Sequence, residues 1–498
     1  AENVAVGTSA LTANTTASYN VAVGQGAGDA ITTGNYNTAI GRSALTALTT
    51  NAANTAVGGT ALAANTAANN TGVGYAALAA NTTGTLNVAV GTSALALNTT
   101  ANSNTAVGSS SLNANTTGAF NVAVGYLALT ANTTANANTA LGNETLSSNT
   151  TGTRNVAAGA SALNANTTAN DNTAFGYTAL LVNSTGSQNT AIGSNTLIAC
   201  TTGEKNVAVG YRAGAAITTG VRNVLIGDDA GDALTSAGSN VAIGYQALGA
   251  DTLGQHNVAL GQDALSTQNF TTAANVYNTG IGSAALASNT TGTFNTAVGG
   301  TALSSNSTGL KHTAVGYGAL AANTTSEENT AVGYLASQSN TTGGANVSVG
   351  QEALADNTTG SSNTALGREA LHRNTTASSN TAVGKRSLFF NTTGAGNTAL
   401  GADAGDTITT GGENTVLGYG ADVGAAGNDR CNIIGSSVSG ASDYTTLGYS
   451  TSEIRAAHGN ITWATVSDER VKKDIEDSTV GLNFINDLRP VTFNYRNK

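Results

Sequence analysis

The chain repeats one 17-residue unit almost from end to end. Each unit begins Asn-Thr/Val-Ala-Val-Gly, continues through an Ala-Leu pair and closes with Asn-Thr-Thr-Gly and two variable residues. The unit starts at Asn3 and recurs up to Asn414, with a decayed copy at Cys431, which makes 26 copies. A repeat this short and regular is typical of a solenoid or fibre built from one stacked unit. It argues against an enzyme, whose active site needs residues that differ from their surroundings.

The composition fits a thin array rather than several globular domains. Only 9% of the residues are charged and 5% are aromatic, so we expect an interior filled by Val, Ile, Leu and Ala. The net charge is −10, and without a basic stripe a nucleic acid partner is not expected. No apolar run is long enough for a membrane span. Cys200 and Cys431 lie far apart in the array, and nothing indicates that they pair.

Within the unit, numbered 1 to 17 from its Asn, positions 2 to 4 predict a short strand. Position 2 is Thr or Val, position 3 is mostly Ala, and position 4 is a large apolar residue in every copy except Ala158. Positions 2 and 4 therefore share one face, position 3 takes the other, and the invariant Gly at position 5 ends the strand. Ala-Leu at positions 8 and 9 predicts a second short strand with Leu inward, and Asn-Thr-Thr-Gly predicts a turn. The predicted fold is an all-β parallel β-solenoid with two short strands and two corners per coil.

Two further features of the repeat bear on assembly. Asn occupies position 1 in 24 of the 26 copies, with His312 and Cys431 as the exceptions, which predicts a stacked Asn ladder inside the solenoid. Ala at positions 3 and 8 predicts a smooth second face suited to close approach of another copy. We therefore expect a homotrimer packed around an axis, with a lone solenoid as the alternative.

The Asn-x-Ala-Val-Gly strand resembles the repeats of trimeric autotransporter adhesin heads. Those heads are left-handed parallel β-rolls in which three chains lie side by side, although their repeats are shorter. The resemblance covers the array at residues 1–435 and implies the same trimeric architecture.

The C-terminal end resembles a different family. Its signature is Ser467-Asp468-Glu469-Arg470-Val471-Lys472, followed by Leu488-Arg489-Pro490-Val491-Thr492-Phe493. This is similar to the start of the intramolecular chaperone domain of phage tail fibres and endosialidases, the S74 peptidase family. The resemblance implies that the domain drives trimerisation and then cuts itself off between Ser467 and Asp468, with Ser467 as nucleophile and Lys472 as its base. We thus expect a shaft at 1–435, a transition segment at 436–466 and the beginning of a chaperone domain at 467–498.

The same Ser-Asp-x-Arg-x-Lys stretch also fits a capped helix start. The family's chaperone domain continues further past the cut than the 31 residues that follow Ser467 here, which argues against active proteolysis. We expect no enzyme, and at most self-cleavage between Ser467 and Asp468.

Tyrosines at position 6 are the candidate ligand contacts. They would line one edge of the solenoid, where aromatic rings can stack on sugars or simply pack at the corner. The eight tyrosines are Tyr75, Tyr126, Tyr177, Tyr211, Tyr245, Tyr317, Tyr334 and Tyr419.

Other departures from the repeat do not predict a metal or cofactor site. Four copies carry Gly-Asp-type segments, at 27–31, 213–217, 230–234 and 404–408, but their carboxylates are too sparse to predict calcium. His256, His312, His372 and His458 lack ligand spacing, so no metal or cofactor is expected. The four-residue insertion between Asn257 and Asn278 predicts a surface loop.

The sequence thus predicts a trimeric, adhesin-like structural shaft on a virion or cell surface, with a possible host-surface or glycan receptor. The alternatives are a structural extracellular filament without a receptor and an ice-binding solenoid. Ice binding would require Thr-x-Thr strands, whereas the repeat has adjacent threonines.

Overall fold

The computed structural model of the protein describes residues 2–459 and 464–465. Its basic element is a three-residue strand at positions 2 to 4 of the unit, extended to five residues in the last copy, and most of the other residues of each coil lie in turns and bends. In chain order, β1 to β33 are Val4–Val6, Val21–Val23, Thr38–Ile40, Thr55–Val57, Thr71–Val73, Val88–Val90, Thr105–Val107, Val122–Val124, Thr139–Leu141, Val156–Ala158, Thr173–Phe175, Thr190–Ile192, Val207–Val209, Val224–Ile226, Val241–Ile243, Gly254–Gln255, Val258–Leu260, Ala274–Asn275, Thr279–Ile281, Thr296–Val298, Thr313–Val315, Thr330–Val332, Val347–Val349, Thr364–Leu366, Thr381–Val383, Thr398–Leu400, Thr415–Leu417, Asp422–Val423, Asn432–Ser436, Ser439–Gly440, Tyr444–Tyr449, Ser452–Ala457 and Ala464–Thr465.

The coils stack in parallel and in register, so that each residue faces its equivalent in the next coil. In β6 and β7, for example, Ala89 pairs with Ala106. Parallel pairing continues through β29 to β31, and β32 and β33 then add antiparallel strands to the same sheet of 29 strands. At about 4.8 Å per strand the repeats extend roughly 120 Å. The predicted parallel β-solenoid is therefore confirmed.

The second predicted strand, at positions 8 and 9, is wrong. In the coil that starts at Asn87, Ser93 and Leu95 at positions 7 and 9 take left-handed φ values of 54° and 51°. Their N–H groups donate to the neighbouring coils, to Tyr75 O and Ser111 O, both at 2.9 Å. Because these bonds satisfy the backbone between coils, the segment stacks as regularly as a strand without being extended.

The core consists of Ala at positions 3 and 8 and Leu at position 9. Ala89, Ala94 and Leu95 are fully buried, whereas Val88 and Val90 are each 36% exposed. Positions 2 and 4 do share one face, but that face points outward. The prediction that the Ala positions form a free face for another copy is therefore wrong, because alanines are what the narrow interior of one coil can hold.

Two asparagine ladders run through the interior. At position 1, Asn87 Oδ1 accepts from the N–H of Asn104 (3.0 Å) and its Nδ2 donates to Ala101 O (2.8 Å), which confirms the predicted ladder. At position 12, Asn98 Nδ2 donates to Asn81 Oδ1 (2.7 Å) and Asn98 Oδ1 accepts from Asn115 (2.9 Å). This second ladder is not predicted from the sequence, where Asn-Thr-Thr-Gly indicates only a turn. The side chain of Asn98 is fully buried, although Asn-Thr-Thr-Gly is typical of an exposed turn.

The glycine at position 5 is fixed by contact between coils. Gly91 has φ 135°, and a Cβ on it would lie 2.6 Å from Gly108 O of the next coil. No other residue meets both conditions, which explains why the position is invariant.

Candidate functional surfaces

The outward side of the sheet is an apolar surface formed by positions 2 and 4, which we call the outer face. Residues at one position of successive coils form a column along the solenoid. Column 2 carries Thr or Val, and column 4 carries large apolar side chains. Outside the first coil, the most exposed residues of column 4 are between 36% and 48% exposed; they are Ile40, Val90, Val124, Leu141, Phe175, Ile192, Ile226, Leu260, Val315, Leu366, Leu400, Leu417 and Ile434.

Column 6, which follows the outer face along each strand, contains the eight tyrosines predicted from the sequence. All are between 49% and 63% exposed, and Tyr317 stacks on Tyr334 of the next coil with ring centroids 5.8 Å apart. The structure therefore places the tyrosines along one edge of the outer face, as expected. It also adds Tyr449, which aligns with Ser436 of column 6 and is 71% exposed.

Column 17, which precedes the outer face along each strand, carries aromatic and charged side chains. Tyr19 and Tyr36 stack with ring centroids 5.0 Å apart. Three cations of this column pair with an acidic residue one coil further on: Arg154 with Asp171 (2.6 Å), Lys311 with Glu328 (2.9 Å) and Arg430 with Asp443 (2.7 Å). These ion pairs are not among the predictions above, although the 17-residue spacing of their partners is visible in the sequence.

His312 replaces asparagine in the ladder of position 1 and makes the same contacts. Its Nε2 lies 2.8 Å from Ser326 O, and its Nδ1 accepts from the N–H of Asn329 at 3.1 Å. With the proton on Nε2, the ring copies both the donor and the acceptor of an asparagine amide. Burial lowers the pKa of His312 to about 4, because a cation there would lose its water.

The other three histidines lie apart from one another. His256 stacks on Tyr277 and His372 on Phe389, whereas His458 contacts Asn432 and Thr445. Within residues 2–459 and 464–465, no group of three or more His, Cys, Asp or Glu side chains could hold a metal ion.

The four Gly-Asp-type segments exchange core residues rather than gather ligands. In each, Gly replaces Leu at position 9 while Ile or Leu replaces Asn at position 12, as in the pairs Gly28/Ile31, Gly214/Ile217, Gly231/Leu234 and Gly405/Ile408. All four apolar replacements are buried. A Cβ on Gly28 would lie 2.9 Å from Ile31 Cδ1, so the side chain at position 12 fills the space that position 9 leaves empty.

The insertion bulges as predicted and leaves the interior ladder intact. Thr271–Ala273 are exposed, while Gln268 is fully buried at position 12. Gln268 donates to Asp251 Oδ2 (2.7 Å) and accepts from Asn278 Nδ2 (2.8 Å). The longer amide thus bridges the extra chain length.

The predicted nucleophile Ser467, the scission partner Asp468 and the base Lys472 lie outside the described residues. In the part of the chain that the structure describes, no helix is long and apolar enough to cross a membrane.

Comparison with known proteins bears on this C-terminal end. Residues 467–498 match the Peptidase S74 family, described as the chaperone of endosialidase. No curated protein matches the chain. A β-solenoid of 26 coils followed in the sequence by a segment that matches the S74 chaperone model fits a tail-fibre-like protein.

Proposed function

We propose that the protein is an adhesin-like fibre shaft that extends from a virion or cell surface as a homotrimer and mediates attachment. In this proposal the C-terminal segment assists trimer assembly. The observation that carries it is the outer face, an apolar surface that one chain leaves uncovered along its whole length.

The size of this face supports an obligatory partner. Two columns along about 120 Å, and about 7 Å apart on the strand, make a patch of roughly 800 Å², in which column 4 is apolar and column 2 is Thr in 15 copies and Val in 10. The largest apolar patch on a typical monomer is about 300–600 Å². The face is continuous and in register from coil to coil, so it offers further copies of the same chain a contact along the shaft. The S74 match supports three copies, because that family assists the assembly of trimers.

Native mass and matched variants test this proposal. We expect three chains of 48.8 kDa in the native particle and a rod about 120 Å long by electron microscopy. Ile192→Lys places a charge on the outer face and should abolish the trimer. Thr185→Lys, on an exposed side chain away from that face, should leave it intact. A monomeric native mass for the unchanged protein would overturn the proposal and leave a lone solenoid.

Attachment is assigned to glycan stacking on the tyrosines of column 6. Their exposed rings at the edge of the outer face support this assignment, since the flat face of an aromatic ring suits a sugar. Glycan binding by the trimer should fall when Tyr75 and Tyr245 are both changed to Ala, whereas Tyr→Phe changes should retain it. Unchanged binding in the Ala variant would rule out the tyrosines as the contact.

The self-cleavage proposal concerns Ser467, Asp468 and Lys472. We assign the nucleophile to Ser467 and the base to Lys472, which requires a lowered Lys pKa. The test is the intact mass of protein expressed with any coding sequence that follows Lys498. The expected result is a chain that ends at Ser467 in the unchanged protein and an uncut chain in each of the variants Ser467→Ala and Lys472→Ala. If the unchanged protein is not cut, the segment acts in assembly only.

A further inference from the structure

Arg222 and Lys205 are the two cations of column 17 that remain without an ion pair within the described part of the chain. They lie on adjacent coils, about 4.8 Å apart along the stack, where like charges repel each other. Glu204 precedes Lys205, but its carboxylate pairs with neither cation among the described side chains. The other three cations of the column are neutralised one coil away, so these two remain available to an acidic or hydrogen-bonding group outside the chain.

Their counterparts lie across the outer face, in column 6. On each strand level, one residue of column 17 precedes the strand and one residue of column 6 follows it. Arg222 thus shares a level with Asp228, and Lys205 with Tyr211. The members of each pair are six residues apart, up to about 20 Å along an extended chain, and are exposed on opposite sides of the same strand. Within one chain they do not form an ion pair in the described structure.

Cyclic packing of parallel copies brings these two columns together. If the outer faces of three chains meet at an axis, columns 2 and 4 fill the centre. Column 17 of one copy then meets column 6 of the next at each corner, on the same level, because a rotation about the axis does not change height.

The pattern of charges along the shaft fits this pairing. From the level of Glu2 to that of Asp443, no level carries like charges in the two columns. Of the ten charged residues in column 17, six share a level with a tyrosine; these levels are Asp171/Tyr177, Lys205/Tyr211, Lys311/Tyr317, Glu328/Tyr334, Glu413/Tyr419 and Asp443/Tyr449. Arg222 faces the opposite charge of Asp228. The other three charged residues face small residues, at the levels Glu2/Thr8, Arg154/Ala160 and Arg430/Ser436. A tyrosine hydroxyl suits both signs, because it donates to a carboxylate and accepts from an ammonium or guanidinium group.

We infer that column 17 of one copy packs against column 6 of the next copy at the levels that carry a charge in column 17, and that Arg222 of one copy pairs with Asp228 of the next. This interface would set the register between the chains, since a shift by one coil would place Arg222 beside Tyr211 or Tyr245 instead of Asp228. It rests on the trimer of the proposed function. It leaves Tyr75, Tyr126 and Tyr245, which face uncharged residues, for the glycan contact.

A pair of engineered cysteines tests the interface. In the full chain, Arg222→Cys with Asp228→Cys should give a covalent trimer on a non-reducing gel, because three disulfides close the ring. The matched control is Arg222→Cys with Gln262→Cys, in which the partner is shifted by two coils, about 10 Å, beyond disulfide reach. Each single variant and the unchanged protein, whose Cys200 and Cys431 are buried, report the background.

The outcomes separate this inference from the trimer itself. A trimeric native mass with cross-linking in the matched pair, and at least tenfold less in the shifted pair, is expected. A trimer in which the matched pair fails, or in which both pairs cross-link equally, overturns the inference and leaves the trimer standing. A monomeric native mass overturns both. As a second measurement, Arg222→Asp should weaken the trimer and adding Asp228→Arg should restore it; failure of the double variant to restore it counts against the pairing.

Discussion

Two adjacent coils, those starting at Asn380 and Asn397, fill the same cross-section in different ways. The first has Leu388 at position 9 and Asn391 at position 12, and the second has Gly405 and Ile408. The backbone at position 9 is alike, with φ 53° at Leu388 and 62° at Gly405. In these two coils one large apolar side chain fills the interior, and either position supplies it, whereas the coil starting at Asn37 buries both Leu45 and Leu48.

The exchange has a cost in the ladder of position 12. Asn391 Nδ2 donates to Asn374 Oδ1 (3.1 Å), but Asn391 Oδ1 is buried without a hydrogen-bond partner in the described structure, since Ile408 offers no donor. Volume is thus conserved between the two kinds of coil, whereas the polar ladder is not. The following predictions test which parts of the coil allow such exchange and which do not.

Position 5 allows no residue other than glycine, so Gly193→Val should have the largest effect on stability. A Cβ at Gly193, with φ 135°, would lie 2.3 Å from Gly210 O. We expect a loss of roughly 3 kcal/mol or more in the free energy of unfolding, from backbone strain and overpacking together. Thermal or denaturant unfolding measures it. Thr202→Val, on an exposed side chain of the same coil, is the control, and equal stability of the two variants would contradict the contact between coils.

Position 1 allows exchange at the expense of acid stability. With a pKa of about 4 in the fold and about 6.5 when unfolded, His312 binds its proton more readily in the unfolded chain. Stability should therefore fall as the pH drops from about 6.5 to about 4, by about 3 kcal/mol in total, and His312→Asn should remove this loss.

The measurement for His312 is the difference between the unchanged protein and the variant, followed against pH. The difference cancels other titrating groups, such as Asp422, whose pKa burial raises to about 6 and which acts in the opposite sense over that range. His372→Asn, outside the ladder, should keep the acid-dependent loss. Parallel pH profiles for the unchanged protein and His312→Asn would refute the role of the ladder.

The sequence predicts the period, the strand, the invariant glycine and the first ladder, because each follows from spacing alone. It does not predict which side of the strand faces inward. Alternation puts Val88 and Val90 opposite Ala89, and hydrophobicity alone favours burying the valines. The narrow cross-section reverses this choice, and only the path of the whole coil reveals it. Asn98 was missed for a similar reason, since a turn and a buried ladder use the same residue type.

In the coil starting at Asn397, a change at position 9 should be tolerated best when position 12 changes with it. Gly405→Leu alone should cost about 1–3 kcal/mol, because a Cβ there would lie 3.0 Å from Leu388 Cδ2 and 3.2 Å from Ile408 Cδ1. Adding Ile408→Asn should recover most of that loss, since the new amide frees the space and offers a donor to Asn391 Oδ1. A double-mutant cycle by denaturant unfolding measures the coupling. Additive effects of the two changes would show that the positions do not share one space.

The smallest effect is expected where a coil is polar inside. Ser337 at position 9 donates to Ser348 at position 3 of the next coil (2.8 Å), and Ser348 donates to Thr330 O (3.3 Å). These two residues interrupt the apolar core, which forms one cluster up to Ala336 and another from Ala353. Ser337→Leu with Ser348→Ala restores the usual pair and should stabilise the protein by on the order of 1 kcal/mol.

In a stacked array each coil couples mainly to its neighbours, so the polar pair should also weaken the cooperativity of unfolding. We expect two unfolding transitions in calorimetry of the unchanged protein and one in the double variant; a single transition in both would mean that the backbone ladders, and not the apolar core, carry the coupling along the shaft.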